Sequence, residues 1–234
     1  RGDVYKRQGY LNVRYAGQPL VDIAMEFLHS GGQRLELQAS WAAAASRPGG
    51  HPAADLSALD DHATTLAALL AHPIIASKEN VVRTYDHEVQ GSTILKPLVG
   101  VREDGPGDAG ALQPRLDSAR GIVLGCGINP RYGKIDPYWM ALAVVDEALR
   151  NVVAAGGDPA QTWILDNFCW GDPKLPDRLA GLVRAAAGCH DAALAYKTPF
   201  ISGKDSLNNE YRDAQGNRVA IPPTLLISAL ALVP

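Results

Sequence analysis

Cysteine is scarce in this sequence. Its three residues, Cys126, Cys169 and Cys189, are far apart and odd in number. That excludes a disulfide framework or a paired metal-ligand spacing and points to a reducing compartment. There is no run of about 18 apolar residues and no hydrophobic N-terminal stretch, so neither a membrane span nor an export signal is predicted. A basic stripe is also missing: 22 Lys and Arg stand against 25 Asp and Glu, for a formal charge of −3. With the basic residues scattered, nucleic acid is not an expected partner. The six histidines, His29, His51, His62, His72, His87 and His190, show no metal-binding pair. His87, between carboxylates in Tyr85-Asp86-His87-Glu88, is read as a surface residue. No initiating methionine is present, and the chain stops at Pro234 just after the strand-like run 224–233. It is therefore expected to be cut at both ends, with residues 1–8 a scar lacking apolar periodicity.

What is present suffices for one full core plus a smaller piece: 234 residues, 47% of them apolar. A short alternating strand at 11–15, a Gly-Gln-Pro turn and an apolar segment through Met25, Phe27 and Leu28 are too little to fold alone. From Ala42 to Asp61 the composition turns to alanine, glycine, proline, histidine and aspartate, as in a solvated connector, and a domain boundary is placed there. Helices are predicted at 62–71, where His72-Pro73 ends the first, and from Ser77 to about Tyr85. Strands follow at 92–99 and 121–126. The clearest helix is 137–155, with Asp136 as cap, Pro137 at the first position and Gly156-Gly157 as the stop. Its apolar stripe is Tyr138, Leu142, Val145, Leu149 and Val152. Strand 162–166, helix 177–196, strand 199–202 and a pair of strands turning at 213–217 complete the pattern. The interleaving predicts an α/β or α+β fold.

Three places carry candidate chemistry. Glu147 and Asn151 are four apart and share one helix face, which is apolar enough to bury both partly. A carboxylate with an amide oxygen suits magnesium, while an ion pair of Glu147 with Arg150 is the plainer reading. Asp166-Asn167 is read as a strand end, where ligands sit in α/β sheets or where the two residues simply cap a turn. In Gly203-Lys204-Asp205-Ser206 the strand is expected to break at the glycine. The backbone can then approach a phosphate, Lys204 neutralise it, Asp205 hold a metal and Ser206 offer a hydroxyl. A solvated Gly-Lys-Asp turn is the other reading. The G-x-x-x-x-G-K-[ST] spacing of a Walker loop is absent.

The ordered set Ile75-Ala76-Ser77-Lys78-Glu79, Tyr85-Asp86-His87-Glu88-Val89-Gln90, Asp136-Pro137-Tyr138, Glu147 through Asn151, Asp166-Asn167 with Gly171-Asp172-Pro173, and Gly203 through Ser206 resembles the synthetase-subunit family of phosphoribosylformylglycinamidine synthase. The resemblance covers residues 9–234. It implies a PurM N-terminal-like ATP-binding domain at 62–234, a mixed β-sheet packed with helices. Before it come a linker at 46–61 and, at 9–45, the tail of a preceding PurM C-terminal-like domain.

The implied activity is an amidine-forming, ATP-dependent C–N ligase of purine biosynthesis in the cytoplasm. ATP phosphorylates the amide oxygen of formylglycinamide ribonucleotide, and ammonia then displaces phosphate. The cofactors implied are ATP and Mg2+. Implied partners are the ribonucleotide, a glutaminase subunit or domain, a small accessory subunit, and the first half of the same enzyme. Asp166 and Gly203 match ATP-contacting positions, Ser206 a substrate-contacting one, and Glu147, Asn151 and Asp205 magnesium ligands. The family's catalytic histidines belong to the first half, so no catalytic residue is assigned and the chain alone is expected to be inactive. It departs from the family at Lys204, where the short form has a metal-ligating asparagine, at Trp139-Met140-Ala141, where glycines are usual, and at Cys169-Trp170. Two alternatives stay open: a non-catalytic nucleotide-binding or interface half, and another member of the superfamily such as aminoimidazole ribonucleotide synthetase. The Ile75 to Gln90 segment argues against the latter.

Overall fold

In the computed structural model, residues 9–32, 35–42, 61–84 and 88–233 are described. His87 and nearly all of the 46–61 connector lie outside them. The chain divides into two compact units, Arg1–Leu37 and Gln38–Pro234.

The first unit is an antiparallel hairpin of β1 (Tyr10–Tyr15) and β2 (Gln18–Ala24), followed by the short helix α1 (Met25–Ser30). Ala16 and Gly17 both have positive φ, 47° and 80°. This is the primed-turn geometry whose twist matches two-residue hairpins. No residue of α1 is buried.

The second unit begins earlier than the connector composition suggests. Ser40 N donates to Pro176 O at 3.0 Å, and the Arg184 guanidinium lies 4.8 Å from the centre of the Trp41 ring. Stacked cation and ring tie residues 38–42 to this unit. Its elements are α2 (His62–Ala71), α3 (Glu79–Val82), β3 (Thr93–Leu95), β4 (Leu98–Val99), β5 (Gly105–Pro106), β6 (Ala109–Leu112), β7 (Gly121–Ile128) and α4 (Pro130–Gly133). After these come α5 (Pro137–Ala154), β8 (Thr162–Cys169), α6 (Pro176–Tyr196), β9 (Phe200–Ser206), β10 (Glu210–Arg212), β11 (Arg218–Ala220) and β12 (Thr224–Val233). The helix expected from Ser77 to Tyr85 is one turn, Glu79–Val82.

Six strands form one mixed sheet in the order β3-β6-β7-β12-β8-β9, antiparallel except for β8 with β9. Helix α5 starts where the sequence places it: Asp136 Oδ1 accepts from Tyr138 N at 2.9 Å, and Arg184 grips the same carboxylate with two nitrogens. Its buried residues, Met140, Ala141, Val144, Val145, Ala148, Leu149 and Val152, form a wider arc than the expected stripe. The reason is that α5 packs on both the sheet and α6. On β7, Gly121, Val123, Gly125 and Gly127 are buried, while Leu124, Cys126 and Ile128 are exposed. The helices therefore cover one sheet face, and on the opposite face the β7 residues Leu124, Cys126 and Ile128 are exposed.

The close seating of α5 depends on glycine. A Cβ at Gly127 would overlap the Val144 carbonyl, and one at Gly125 would press on Asn151 and Val152. Gly127→Ala is expected to cost about 3 kcal/mol of unfolding free energy, because backbone rather than a flexible side chain must move. Gly110→Ala, whose nearest new neighbour is Leu95 O at 3.7 Å, should change stability by less than about 1 kcal/mol. Urea denaturation of the two variants checks this, and equal midpoints would refute the packing argument.

Candidate functional site

Strand β8 does not end at Asp166. It continues to Cys169, and the Gly203 to Ser206 segment is the second half of strand β9 rather than a loop. The physical cause is the parallel ladder, in which Asp166 pairs with Gly203, Asn167 with Lys204, Phe168 with Asp205 and Cys169 with Ser206. Gly203 stays extended, and the Asp166 carboxylate occupies the space that a side chain there would fill. This is the close approach for which an in-strand glycine is suited.

Side chains alternate along a strand, and paired residues project to the same face. Phe168 is 7% exposed and belongs to the core beneath the helices. Asp166, Gly203 and Asp205 thus share the helix-covered face, at the β8–β9 edge. Asn167, Lys204, Cys169 and Ser206 stand on the open face, where Lys204 Nζ donates to Ser206 Oγ. The sequence reading lets Gly203, Lys204, Asp205 and Ser206 serve one phosphate and its metal together. The sheet itself separates them.

The titration of Asp166 reflects its surroundings on the covered face. Burial, then the nearby Asp205 charge, raises the Asp166 carboxyl above its ordinary value of 3.8. Burial, then the Asp166 charge, pushes the Cys189 thiol of α6 up to about 12, so this cysteine is a packing residue and not a nucleophile. A partly buried carboxyl beside a second acid is a place where a cation would be favourable.

Glu147 and Asn151 have a different setting. Glu147 is exposed, and its Oε2 accepts from Ile128 N at 2.8 Å; Asn151 Nδ2 donates to Cys126 O at 2.8 Å. Strand β6 pairs with β7 only as far as Ala109 opposite Gly125. Beyond that point the two α5 side chains satisfy the backbone groups that β6 leaves unpaired. The ion pair considered for Glu147 is made by its neighbour instead: Arg150 Nε lies 2.6 Å from Asp146 Oδ2. Asp108, which sequence reading passed over, immediately precedes the last β6–β7 pair and so arrives at this same edge. Its only signal is its place at the start of a strand. Strands β12 and β8 separate β7 from β9. That is about 14 Å at about 4.8 Å per strand, so Glu147 and Asn151 are not brought together with Asp205. Among the described residues, no group of three or more His, Cys, Asp or Glu is placed to hold a metal ion.

The Gly171-Asp172-Pro173 segment proves to be structural. Asp172 N donates to Glu210 Oε1 at 2.9 Å, and Arg218 bridges Asp172 and Glu210 at 2.8 and 2.7 Å. Arg178 Nη1 lies 2.7 Å from Glu210 Oε1 but off the hydrogen-bonding direction, so that contact is electrostatic. A groove of about 700 Å3 beside this network, lined by Trp41, Lys134, Trp170, Arg178 and Arg218 among others, includes none of the candidate site residues.

The model for the AIR synthase related protein, N-terminal domain, matches residues 106–233. Phosphoribosylformylglycinamidine synthase subunit PurL of Deinococcus radiodurans is 36% identical over 174 residues, covering 74% of this chain and 22% of that protein. The subunit of the same name from Ignicoccus hospitalis is 34% identical over 230 residues, covering 96% and 29%. The chain thus spans less than a third of these curated relatives. Among solved structures, PurLQS from Thermotoga maritima superposes with a TM-score of 0.65 at 22% identity, covering 97% of this chain and 32% of that one. T. maritima PurL complexed with ATP gives 0.61 at 19%, with the same coverage. T. maritima PurL complexed with FGAR gives 0.59 at 22%, covering 96% and 31%.

Because its folded value is raised, Asp166 contributes stability that is fully present below pH 3.8. That contribution is lost as pH rises through the elevated value. Asp205→Asn should lower the Asp166 midpoint in a carboxyl-carbon NMR titration without returning it to the ordinary value, since burial, the larger cause, remains. An unmoved midpoint would place Asp205 outside the pair.

Proposed function

The chain belongs to the AIR synthase related family, and on that premise we propose that it is the segment of a phosphoribosylformylglycinamidine synthase synthetase subunit that holds a nucleotide with Mg2+. The whole enzyme would then convert formylglycinamide ribonucleotide, ATP and glutamine-derived ammonia to the amidine, ADP and phosphate in the cytoplasm. The observation that carries the reading is the convergence of Asp166, Gly203 and Asp205 at one sheet edge. It is supported by the PurL names of the relatives and by the ATP and FGAR complexes of the T. maritima protein.

The covered-face residues fit a divalent cation in their chemistry: two oxygen-ligand carboxylates, one with a raised pKa, beside a glycine whose missing side chain makes room for the Asp166 carboxylate. Asp205 and Asp166 would hold Mg2+, which when bound offsets phosphate charge. Glu147 and Asn151, with Asp108, would serve a second position at the β7 edge, through the Glu147 oxygen not engaged by Ile128 and the Asn151 amide oxygen. Ser206 would orient the ribonucleotide substrate from the open face. This chain's part is positioning and charge neutralisation. Proton transfer is assigned to the first half of the enzyme, and ammonia delivery to a glutaminase partner with its small accessory subunit.

A second reading, a non-catalytic half that props up an active one, is favoured by the open sheet face. Leu124 and Ile128 are 42% and 47% exposed there, on a strand, β7, whose other side is core. An apolar face of this kind is what a second AIR-synthase-like half of the same protein would cover.

Titration of MgATP into the chain, measured by calorimetry, separates the readings. Binding should weaken at least about tenfold in Asp205→Ala, the loss of one charged ligand contact. No binding by either protein would leave the interface role. With the first half supplied, Ser206→Ala should raise KM for formylglycinamide ribonucleotide several-fold while the chain still folds. Equal KM values would remove Ser206 from the substrate site.

A further inference from the structure

Strand β11 has one partner and lines a groove with its other side. The β10–β11 hairpin is a two-stranded sheet. Ile221 N donates to Asn209 O at 2.9 Å, and Asp213 N to Asn217 O at 3.0 Å. Hydrogen-bonded pairs alternate along an antiparallel ladder, so Tyr211 with Val219 is the bonded pair between these two. The N–H and C=O groups of Arg218 and Ala220 therefore point away from β10. Among the described residues no backbone group bonds to them. The groove of about 700 Å3 takes its lining from residues 218–223 and from none of 210–212, so it lies on this unpaired side. Beyond Ile221 the edge closes, because Pro222 and Pro223 have no N–H.

The groove also has a sign of charge. Three cations, Lys134, Arg178 and Arg218, line it together with one acid, Asp177. Glu210 and Asp172, which hold the two guanidiniums, stand outside the lining. Lys134 is exposed and forms no ion pair among the described residues. Trp41, 38% exposed, adds an apolar wall.

We infer that the groove binds an extended acidic peptide of a partner protein, which adds a third strand to β10–β11. Residues two apart on a strand are separated by about 6.6 Å, the repeat at which a paired strand presents its own C=O and N–H groups. Arg218 and Ala220 thus offer four main-chain bonds, which give affinity, while the lining sets the sequence preference. Acidic side chains meet the excess of cations, and apolar ones at alternate positions meet Trp41. A small anion would use the cations but leave the four main-chain groups unpaired. Because β11 has three residues and ends against two prolines, it takes one short segment and does not template an open-ended stack. The inference is independent of the nucleotide reading, since none of the residues assigned to that site lines the groove.

The test is calorimetric titration of the 234-residue chain with the blocked peptide acetyl-Glu-Val-Glu-Val-Glu-amide at low salt. It should bind, and the counterpart with lysine in place of glutamate should bind at least about tenfold more weakly. Two further peptides carry N-methyl groups on alternate amides, one peptide in each phase. The phase whose methyls face β11 loses its donors and should bind about tenfold or more weakly, while the other stays within about threefold of the parent. Ala220→Pro removes an outward N–H on which no ladder bond depends and should weaken binding about fivefold. Lys134→Glu should weaken it about tenfold. Lys134 is exposed, so its variant and the N-methylated peptides decide the matter even where Ala220→Pro does not fold. Failure of the acidic peptide to bind, or equal binding of the two N-methylated peptides, overturns the proposal. Dimerisation of the chain alone that Ala220→Pro abolishes assigns the edge to a second copy and overturns it as well.

Discussion

The second unit depends on the seating of one helix on one strand. Helix α5 lies so near β7 that the Val144 carbonyl and the Ala148 amide occupy the space where side chains of Gly127 would be. That contact buries Met140, Val144, Ala148 and Val152 in a single line against the sheet. It also sets the depth at which Glu147 and Asn151 reach the unpaired end of β7. Were the helix lifted by one methyl group, both hydrogen bonds would be stretched and two backbone groups of the strand would lose their partners, a cost of about 1 to 3 kcal/mol each where they are buried. The glycines of β7 are therefore a packing requirement that also fixes the candidate metal edge.

Much of this was legible in the sequence. Asp136, Pro137 and Gly156 mark the ends of α5 because capping is local chemistry, decided within a few residues. Positions 200 and 224 likewise begin strands where apolar runs begin. The candidate acids at 166 and 205 were legible as residue types, and the structure brings them together.

What sequence could not supply was pairing. Gly203 next to Lys-Asp-Ser has the local signature of a turn, and only the parallel partner β8 keeps it extended. In the same way, Glu147 four residues from Asn151 reads equally well as ligand pair, surface ion pair or strand cap. The end of β6 at Ala109 is what makes it a cap for β7, and that stop lies 38 residues away in the chain from Glu147. The boundary near residue 38 was hidden for a related reason: a single aromatic ring, Trp41, stacked on Arg184 outweighs the composition shift that follows it.

Reading Gly203 to Ser206 as strand rather than loop changes what four adjacent residues can do together. A loop can wrap a ligand, so that glycine, lysine, aspartate and serine all face one phosphate. A strand cannot, because each step of about 3.3 Å reverses the side-chain direction. Asp205 therefore works with Asp166 and against the helices, while Lys204 and Ser206 work with Asn167 on the open side. Opposite charges adjacent in sequence would neutralise each other in a flexible turn. Held in a strand, they are kept apart by the sheet, and each face retains its own sign of charge.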